Sequence, residues 1–235
     1  MINVIGLGYI GLPTALMLSA NGVEVIGTDC NEILVNTLKA GKTTFKEDGL
    51  DDLFQKALKA GIKFTTEYQV TDNYIVSVPT PYDKFSKKVD VCYVISAVKD
   101  ILKVAPKCAI LVIESTVSPG TIEKSIRPVL EMENRTDIHL VHAPERIIPG
   151  NMIYELLHNN RTIGADERII GEKIKDLYAS FCQGEIVITD IRTAEMTKVV
   201  ENTFRAVNIA FANELAKICH HDNMDVYEII KICNM

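Results

Sequence analysis

The chain has 235 residues, 47% of them apolar, with a formal net charge of −6 and a pI near 5.4. That length and apolar content fit one folded domain with an appendage and exclude a disordered chain. The acidic balance, without any run of like charges, excludes a nucleic-acid surface. No apolar run approaches the ~20 residues of a membrane span, so no membrane association is expected.

The elements follow in chain order. "MINVIGLG" opens as a strand rather than as a basic segment before an apolar one, so no secretory leader is expected and the expected compartment is the cytoplasm. "INVIG" (2–6) reads as a buried strand and leads into a helix from about Ile10 to Asn21. "VEVIGTD" (23–29) is a second strand, with a helix near 31–40. "YIVSVP" (74–79) is a third, followed by a helix near 90–104 that stops before Pro106. "AILVIES" (109–115) precedes a helix near 120–133, and "IHLVHAP" (138–144) and "EIVITD" (185–190) complete the strands. Continuous β-branched runs separated by helices predict an α/β fold, a Rossmann-type mostly parallel sheet with helices on both faces. From 191 onward only helical pattern remains. The expected organisation is therefore a dinucleotide-binding domain over 1–190 and a long central helix with a short helical segment over 191–235.

Between the first strand and its helix lies "GLGYIG", which places Gly6, Gly8 and Gly11 in G-x-G-x-x-G spacing. In that context Gly6 permits the tight turn, Gly8 lets the backbone approach a pyrophosphate, and Gly11 lets helix and strand pack closely. Free N–H groups at the helix start, at Tyr9 and Ile10, favour phosphate charge. Asp29 ends the second strand, where a carboxylate can accept hydrogen bonds from ribose hydroxyls and repel a 2′-phosphate. "CNEIL" follows it without an Arg, so NAD is expected rather than NADP. The competing reading is an empty glycine turn with Asp29 as a helix cap.

Ligands of open α/β sheets bind beyond the carboxyl ends of the strands. Three such ends are unusual here. "SVPTP" (77–81) offers Val78, Pro79 and a Thr80 expected to face the cofactor freely. "ESTVSPGT" (114–121) offers Ser115 and Thr116. "HAPERIIPGN" (142–151) offers Glu145 and Arg146. On the predicted central helix, Lys198, Asn202 and Arg205 fall on one stripe, because residues three and four apart share a face. Val199, Val200, Phe204, Val207, Ile209, Phe211, Leu215 and Ile218 make the same helix apolar on more than one side, so burial on more than one side is expected. The six cysteines form no C-x-x-C pair and are expected to be reduced, mostly buried thiols. No metal-ligand spacing is present: His220 and His221 are adjacent rather than i and i+4.

Together, "GLGYIGLPTA", "VPTP", "STVSPGT", "APER" and "RTAEMTKVVENTFRAVNIAFANELA" resemble, in order and spacing, the UDP-glucose/GDP-mannose dehydrogenase family over essentially the whole chain. "PERIIPG" and "NNRTIG", with Arg161, are most similar to the branch that oxidises UDP-N-acetyl-D-mannosamine. Pro149 stands where the UDP-glucose pattern carries a second glutamate, although UDP-N-acetylglucosamine and UDP-glucose remain alternative substrates.

The resemblance implies oxidation of a sugar CH2OH to a carboxylate with two NAD+ and one water, through a cysteine-bound thiohemiacetal and thioester. It further implies Lys198 as the cation beside the reacting oxygen, Asn202 as its neutral donor, and Glu145 as the group that orients or activates water. Thr116 would hold that water or touch the cofactor. Arg146, Arg161 and Arg205 are candidates for substrate binding alongside Glu145, Lys198 and Asn202. The implied partners are a UDP-sugar and a second copy of the chain packed through the central helix, in the service of surface polysaccharides such as capsule. None of the six cysteines follows a glycine pair as the family nucleophile does. The chain is therefore expected to be part of a longer enzyme that binds NAD(H) without completing the oxidation alone. A non-catalytic NAD-binding or dimerisation module is the competing class, and a β-hydroxyacid-type NAD dehydrogenase is a third reading.

Overall fold

The structure is a computed structural model that describes residues 1–147 and 150–235. Its first third runs β1 (Ile2–Ile5), α1 (Gly11–Ala20), β2 (Val25–Thr28), α2 (Glu32–Lys39), α3 (Leu50–Ala60), β3 (Lys63–Thr65) and β4 (Asn73–Val76). A small hairpin, β5 (Tyr82–Asp83) with β6 (Lys88–Val89), precedes α4 (Cys92–Val104) and β7 (Ile110–Ile113). A π-helical stretch, Ile122–Ile126, runs into α5 (Arg127–Met132). The chain continues with β8 (His139–His142), α6 (Met152–His158), β9 (Arg161–Ala165), α7 (Arg168–Ala179), β10 (Ile186–Thr189), α8 (Ile191–His221) and α9 (Val226–Cys233).

Eight strands form one sheet in the order β10-β9-β8-β7-β4-β1-β2-β3. Every pairing is parallel except β8 with β9, so the expected mostly parallel Rossmann-like sheet is what forms. Side chains alternate between its faces, as the two-residue period of a strand requires. Ile2, Val4, Ile75, Ile110, Val112 and Val141 enter one apolar cluster with α1, α3 and α7. Ile5, Tyr74, Val76, Leu111, Ile113 and Leu140 enter another with α4 and α5. Burial on both faces explains why these strands read as continuous apolar runs.

The expected helix near 120–133 is a π turn followed by an α segment. Pro128 lacks an N–H and crowds the carbonyl four residues back, so the helical ladder widens ahead of it. Helices α3, α6 and α7, the hairpin, and strands β3 and β9 are additions to the predicted elements. The expectation of mostly buried cysteines is corrected. Cys182 and Cys219 are buried, but Cys30, Cys92, Cys108 and Cys233 are exposed free thiols. The exposed four sit at element ends or turns: Cys92 starts α4, Cys233 ends α9, and Cys108 takes a positive φ of 59°.

The chain divides into two compact units, Met1–Met196 and Thr197–Met235. Within the first, β9 and the opening turn of α8 approach so closely that a Cβ on Gly164 would lie 2.7 Å from the Ala194 Cβ and 2.7 Å from the Ile191 Cα. Gly164→Ala should therefore destabilise the fold by about 1–3 kcal/mol. Denaturant unfolding measures this, and an unchanged midpoint would contradict the close approach.

Candidate cofactor and active site

The glycine loop is shaped by contacts that no side chain could enter. Gly6 holds φ at 89° and donates its N–H to the Thr28 carbonyl at 2.8 Å, tying the loop to β2. A Cβ on Gly6 would lie 2.5 Å from the Ser77 carbonyl oxygen, and one on Gly11 would lie 1.9 Å from the Gly6 carbonyl oxygen. Gly8 differs: it is exposed, and a Cβ there would meet nothing within 4 Å. Helix α1 then begins at Gly11, and Ile10 before it supplies no side-chain cap. An open backbone approach beside an uncapped ten-residue helix suits a pyrophosphate. Tyr9 is fixed beside this loop, its ring 5.1 Å from Phe45 and its hydroxyl donating to Glu47 at 3.0 Å.

Asp29 accepts the Leu7 N–H at 2.8 Å through one carboxylate oxygen and the Asn31 N–H at 2.9 Å through the other. The cap of α2 is Asn31, whose side chain accepts from Ile33 and Leu34. Asp29 thus fastens the glycine loop to the end of β2. It is half-buried, and since a carboxylate has about four acceptor positions it retains capacity for ribose hydroxyls. These residues fit a dinucleotide.

The next two strand ends are latched to each other. The Ser115 hydroxyl accepts the Val78 N–H at 2.9 Å and lies 2.8 Å from the Val78 carbonyl, to which it donates. The Thr80 hydroxyl donates to the Thr116 carbonyl at 2.8 Å, so it is engaged between the loops rather than free as its sequence suggested. Pro79 and the Thr116 residue are exposed at this edge.

Beyond β8 the site turns inward. Glu145 is only 6% exposed, with its Oε1 accepting the Arg146 N–H at 2.6 Å and its Oε2 in contact with the Arg161 guanidinium. Arg161, 4% exposed at the start of β9, also lies 3.9 Å from Glu114 Oε1 and stacks over the Tyr178 ring at 4.5 Å. Glu114, at the end of β7, accepts from the Thr14 hydroxyl of α1 at 3.2 Å and from the Tyr178 hydroxyl of α7 at 3.1 Å. Burial outweighs the neighbouring Arg161 charge and pushes the Glu114 carboxyl up to about 7. Burial likewise raises the Tyr178 phenol well above its usual range, and it pulls His142 down to about 4, so that imidazole is neutral and its Nδ1–H donates to the Ile113 carbonyl at 2.9 Å. Arg146 reaches the Thr162 hydroxyl at 3.0 Å. Pro149, the position bearing on UDP-glucose, lies outside the described residues.

Lys198, Asn202 and Arg205 all belong to α8. Lys198 is buried, Arg205 half-buried and Asn202 exposed. Four polar residues of consequence escaped the sequence reading. Glu114 is one, and its signal was a carboxylate closing the apolar run "AILVIES". Tyr178 is its partner on α7, a helix that was not anticipated. Glu195 is buried and accepts the backbone N–H groups of Gly120 and Ile122, the latter at 2.9 Å, thereby capping the π-helical stretch. Glu47 links Tyr9 to the Gly150 N–H at 2.7 Å.

Comparison with known proteins accords with this geometry. Residues 1–182 match the NAD-binding domain of the UDP-glucose/GDP-mannose dehydrogenase family, and residues 192–235 match its central domain. A UDP-N-acetyl-D-mannosamine dehydrogenase of Methanococcus vannielii is 44% identical over 99% of this chain and 54% of its own length. An NDP-N-acetyl-D-galactosaminuronic acid dehydrogenase of Ralstonia nicotianae is 40% identical over 99% of this chain and 57% of its own. The solved UDP-N-acetyl-mannosamine dehydrogenase of Staphylococcus aureus superposes with a TM-score of 0.88 at 42% identity, over 99% of this chain and 58% of that one. The chain spans about half the length of the curated relatives it matches.

Two outcomes follow from the geometry. Gly8→Ala should leave unfolding stability within about 0.5 kcal/mol, while weakening NAD+ binding ~10-fold or more by filling the open approach. Calorimetry with parallel denaturation checks this, and unaltered affinity would place the cofactor elsewhere. For Glu114 the folded value, about 7, lies above the ordinary 4.5, so the unfolded chain loses this proton first as pH rises. Its contribution to stability is therefore fully present below pH 4.5 and lost as pH rises through 7. His142 acts oppositely, its contribution fading as pH falls from 6.5 through about 4. Comparing Glu114→Gln with the parent isolates the first effect: the variant should gain stability relative to the parent between pH 5 and 8, and parallel curves would contradict the assignment.

Proposed function

The chain belongs to the UDP-glucose/GDP-mannose dehydrogenase family, and from that premise we propose that it supplies the NAD-binding and central parts of a nucleotide-sugar 6-dehydrogenase acting on UDP-N-acetyl-D-mannosamine. The observation that carries the reading is the agreement of two findings at one sheet edge. The glycine loop and Asp29 fit NAD, and the chain that builds them is 44% identical to a relative described as a UDP-N-acetyl-D-mannosamine dehydrogenase. The reaction is oxidation of the sugar CH2OH to the uronate, the cytoplasm is its compartment, and surface polysaccharide synthesis is its purpose. The cofactor-binding part extends to about residue 190 and the central helical part follows.

Two NAD+, bound in turn, would accept the two hydrides that this four-electron oxidation releases. The chain's own residues hold each and handle charge. Gly6, Gly8, Tyr9, Ile10 and Gly11 receive the pyrophosphate, Asp29 the ribose, and Val78, Pro79, Thr80, Ser115 and Thr116 border the remainder. Lys198 stabilises the alkoxide that forms as the alcohol loses its proton, with Asn202 as neutral donor; i and i+4 spacing on one helix makes the pair rigid. Glu145 orients the water that completes carboxylate formation, aided by Thr116, and its carboxylate is held by Arg161 and the Arg146 N–H. Arg146 and Arg205 are the cations assigned to substrate recognition, while Arg161, expected beside them, is buried against Glu145.

A second acetamido sugar is the alternative substrate, favoured by the 40% identity to the galactosaminuronic acid enzyme. The protein containing this chain should show its highest kcat/KM with UDP-N-acetyl-D-mannosamine among that sugar, UDP-N-acetylglucosamine and UDP-glucose. Preference for UDP-glucose would overturn the assignment. Residues 1–235 alone should bind NAD(H) without steady NADH production, because no cysteine among them follows a glycine pair. Sustained turnover by that chain would contradict this.

A homodimer through the second unit is part of the same reading. Phe204 and Phe211 are 70% and 69% exposed, and Val200, Val207, Ile209 and Ile218 are exposed as well, which is apolar surface of the kind a second copy would cover. Light scattering at micromolar concentration should report a dimer, and Phe204→Glu with Phe211→Glu should yield a monomer. A stable monomer from the parent chain would contradict the interface.

A further inference from the structure

The buried charges behind Glu145 exceed what holding one carboxylate requires. Glu114 and Glu145 end neighbouring strand segments, both are nearly inaccessible, and a single guanidinium, Arg161, meets both. Two buried carboxylates with one cation leave an uncompensated charge, which is costly in a medium of low polarisability. The structure answers that cost on the Glu114 side. Thr14 and Tyr178 donate to Oε1, burial raises the carboxyl's affinity for a proton, and Oε2 has no hydrogen-bond partner among the described residues. The ionisable groups facing this carboxyl are Arg161, Glu145 and Tyr178, with Cys182 beside Arg161. The guanidinium packs against Tyr178 and Phe181, at 4.5 and 5.3 Å from the ring centres, two rings that meet edge-on and wall in its apolar side.

We infer that Glu114 is a positioning residue for Glu145, acting through the Arg161 guanidinium that the two carboxylates share. Arg161 is then an internal bridge rather than a substrate contact. When Glu114 carries its proton, the Arg161 charge is committed to Glu145. When Glu114 is ionised, the charge is divided and the hold on Glu145 weakens. Because Glu114 also takes the Thr14 hydroxyl of α1, the same carboxyl joins the helix behind the glycine loop to the sheet edge that carries Glu145. The catalytic consequence rests on the proposed role of Glu145 in handling water; the sharing of Arg161 does not.

Two measurements separate these claims. In the 235-residue chain, carbon-detected NMR titration of glutamate carboxyls, assigned with Glu114→Gln, should show the Glu114 signal moving to lower pH by ~1 unit in Glu145→Gln. A Glu114 titration indifferent to Glu145→Gln overturns the sharing. In the full-length protein that contains this chain, Glu145→Gln should lower kcat for sugar oxidation, which tests the reading itself. Arg161→Lys keeps the charge but loses the planar fork, and should lower kcat ~10- to 100-fold with little change in KM. Glu114→Gln should remove the inflection near neutral pH from the kcat profile. If Glu145→Gln is impaired while Glu114→Gln retains the parental profile, the inference fails and the reading survives. If Glu145→Gln retains parental kcat, the catalytic consequence fails, and the titration alone then upholds or overturns the sharing.

Discussion

Parallel pairing from β2 through β8 is the constraint on which the rest of the structure depends. Because β1, β2, β4, β7 and β8 run in the same direction, their carboxyl ends arrive at one edge. The glycine loop, Asp29, the Val78–Thr80 segment, the Ser115–Thr116 turn and Glu145 follow those five ends in turn. No local feature of any one loop could gather them. Parallel strands also require crossovers, and the helices that make them cover both faces. The sheet interior therefore becomes dry enough for Glu114, Glu145, Arg161 and Tyr178 to act on one another strongly.

Backbone proximity refines what topology brings together. Gly11 against Gly6 and Gly6 against Ser77 are contacts that any Cβ would break, so the loop lies flat on the ends of β1 and β4. Side-chain latches then fix neighbouring ends: Asp29 to Leu7, Ser115 to Val78, Thr80 to Thr116, Glu47 to Tyr9 and Gly150. The edge is pre-shaped, and a ligand entering it meets groups already held in place.

Much of this was legible in the sequence, for identifiable reasons. Strands β1, β2, β4, β7 and β8 announce themselves because both their faces are buried, which leaves unbroken apolar runs; the edge strand β10 does so by its β-branched residues, although Val187 is exposed; and "GLGYIG" is informative because a strand precedes it and a helix follows. Strand β9 was not legible: "RTIGA" opens with a charged residue and contains a glycine, and only the structure shows that Arg161 is buried there and that Gly164 admits α8. Helix α7 gave no sign that Tyr178 would meet Glu114 across 64 residues of chain. The bond from the Thr80 hydroxyl to the Thr116 carbonyl was not legible, because sequence shows which groups can donate but not which carbonyl lies nearest. The substrate assignments of Lys198, Asn202 and Arg205 rest on resemblance and on helical spacing.

The edge formed by Gly8 and Asp29 is a site for NAD rather than for another anion or for NADP. Isothermal titration of the 235-residue chain with NAD+ and then with NADP+ tests this most directly. The account predicts one NAD+ per chain, bound at least ~10-fold more tightly than NADP+ because a 2′-phosphate would face the Asp29 carboxylate. Equal affinity for the two, or no binding of either, would contradict it.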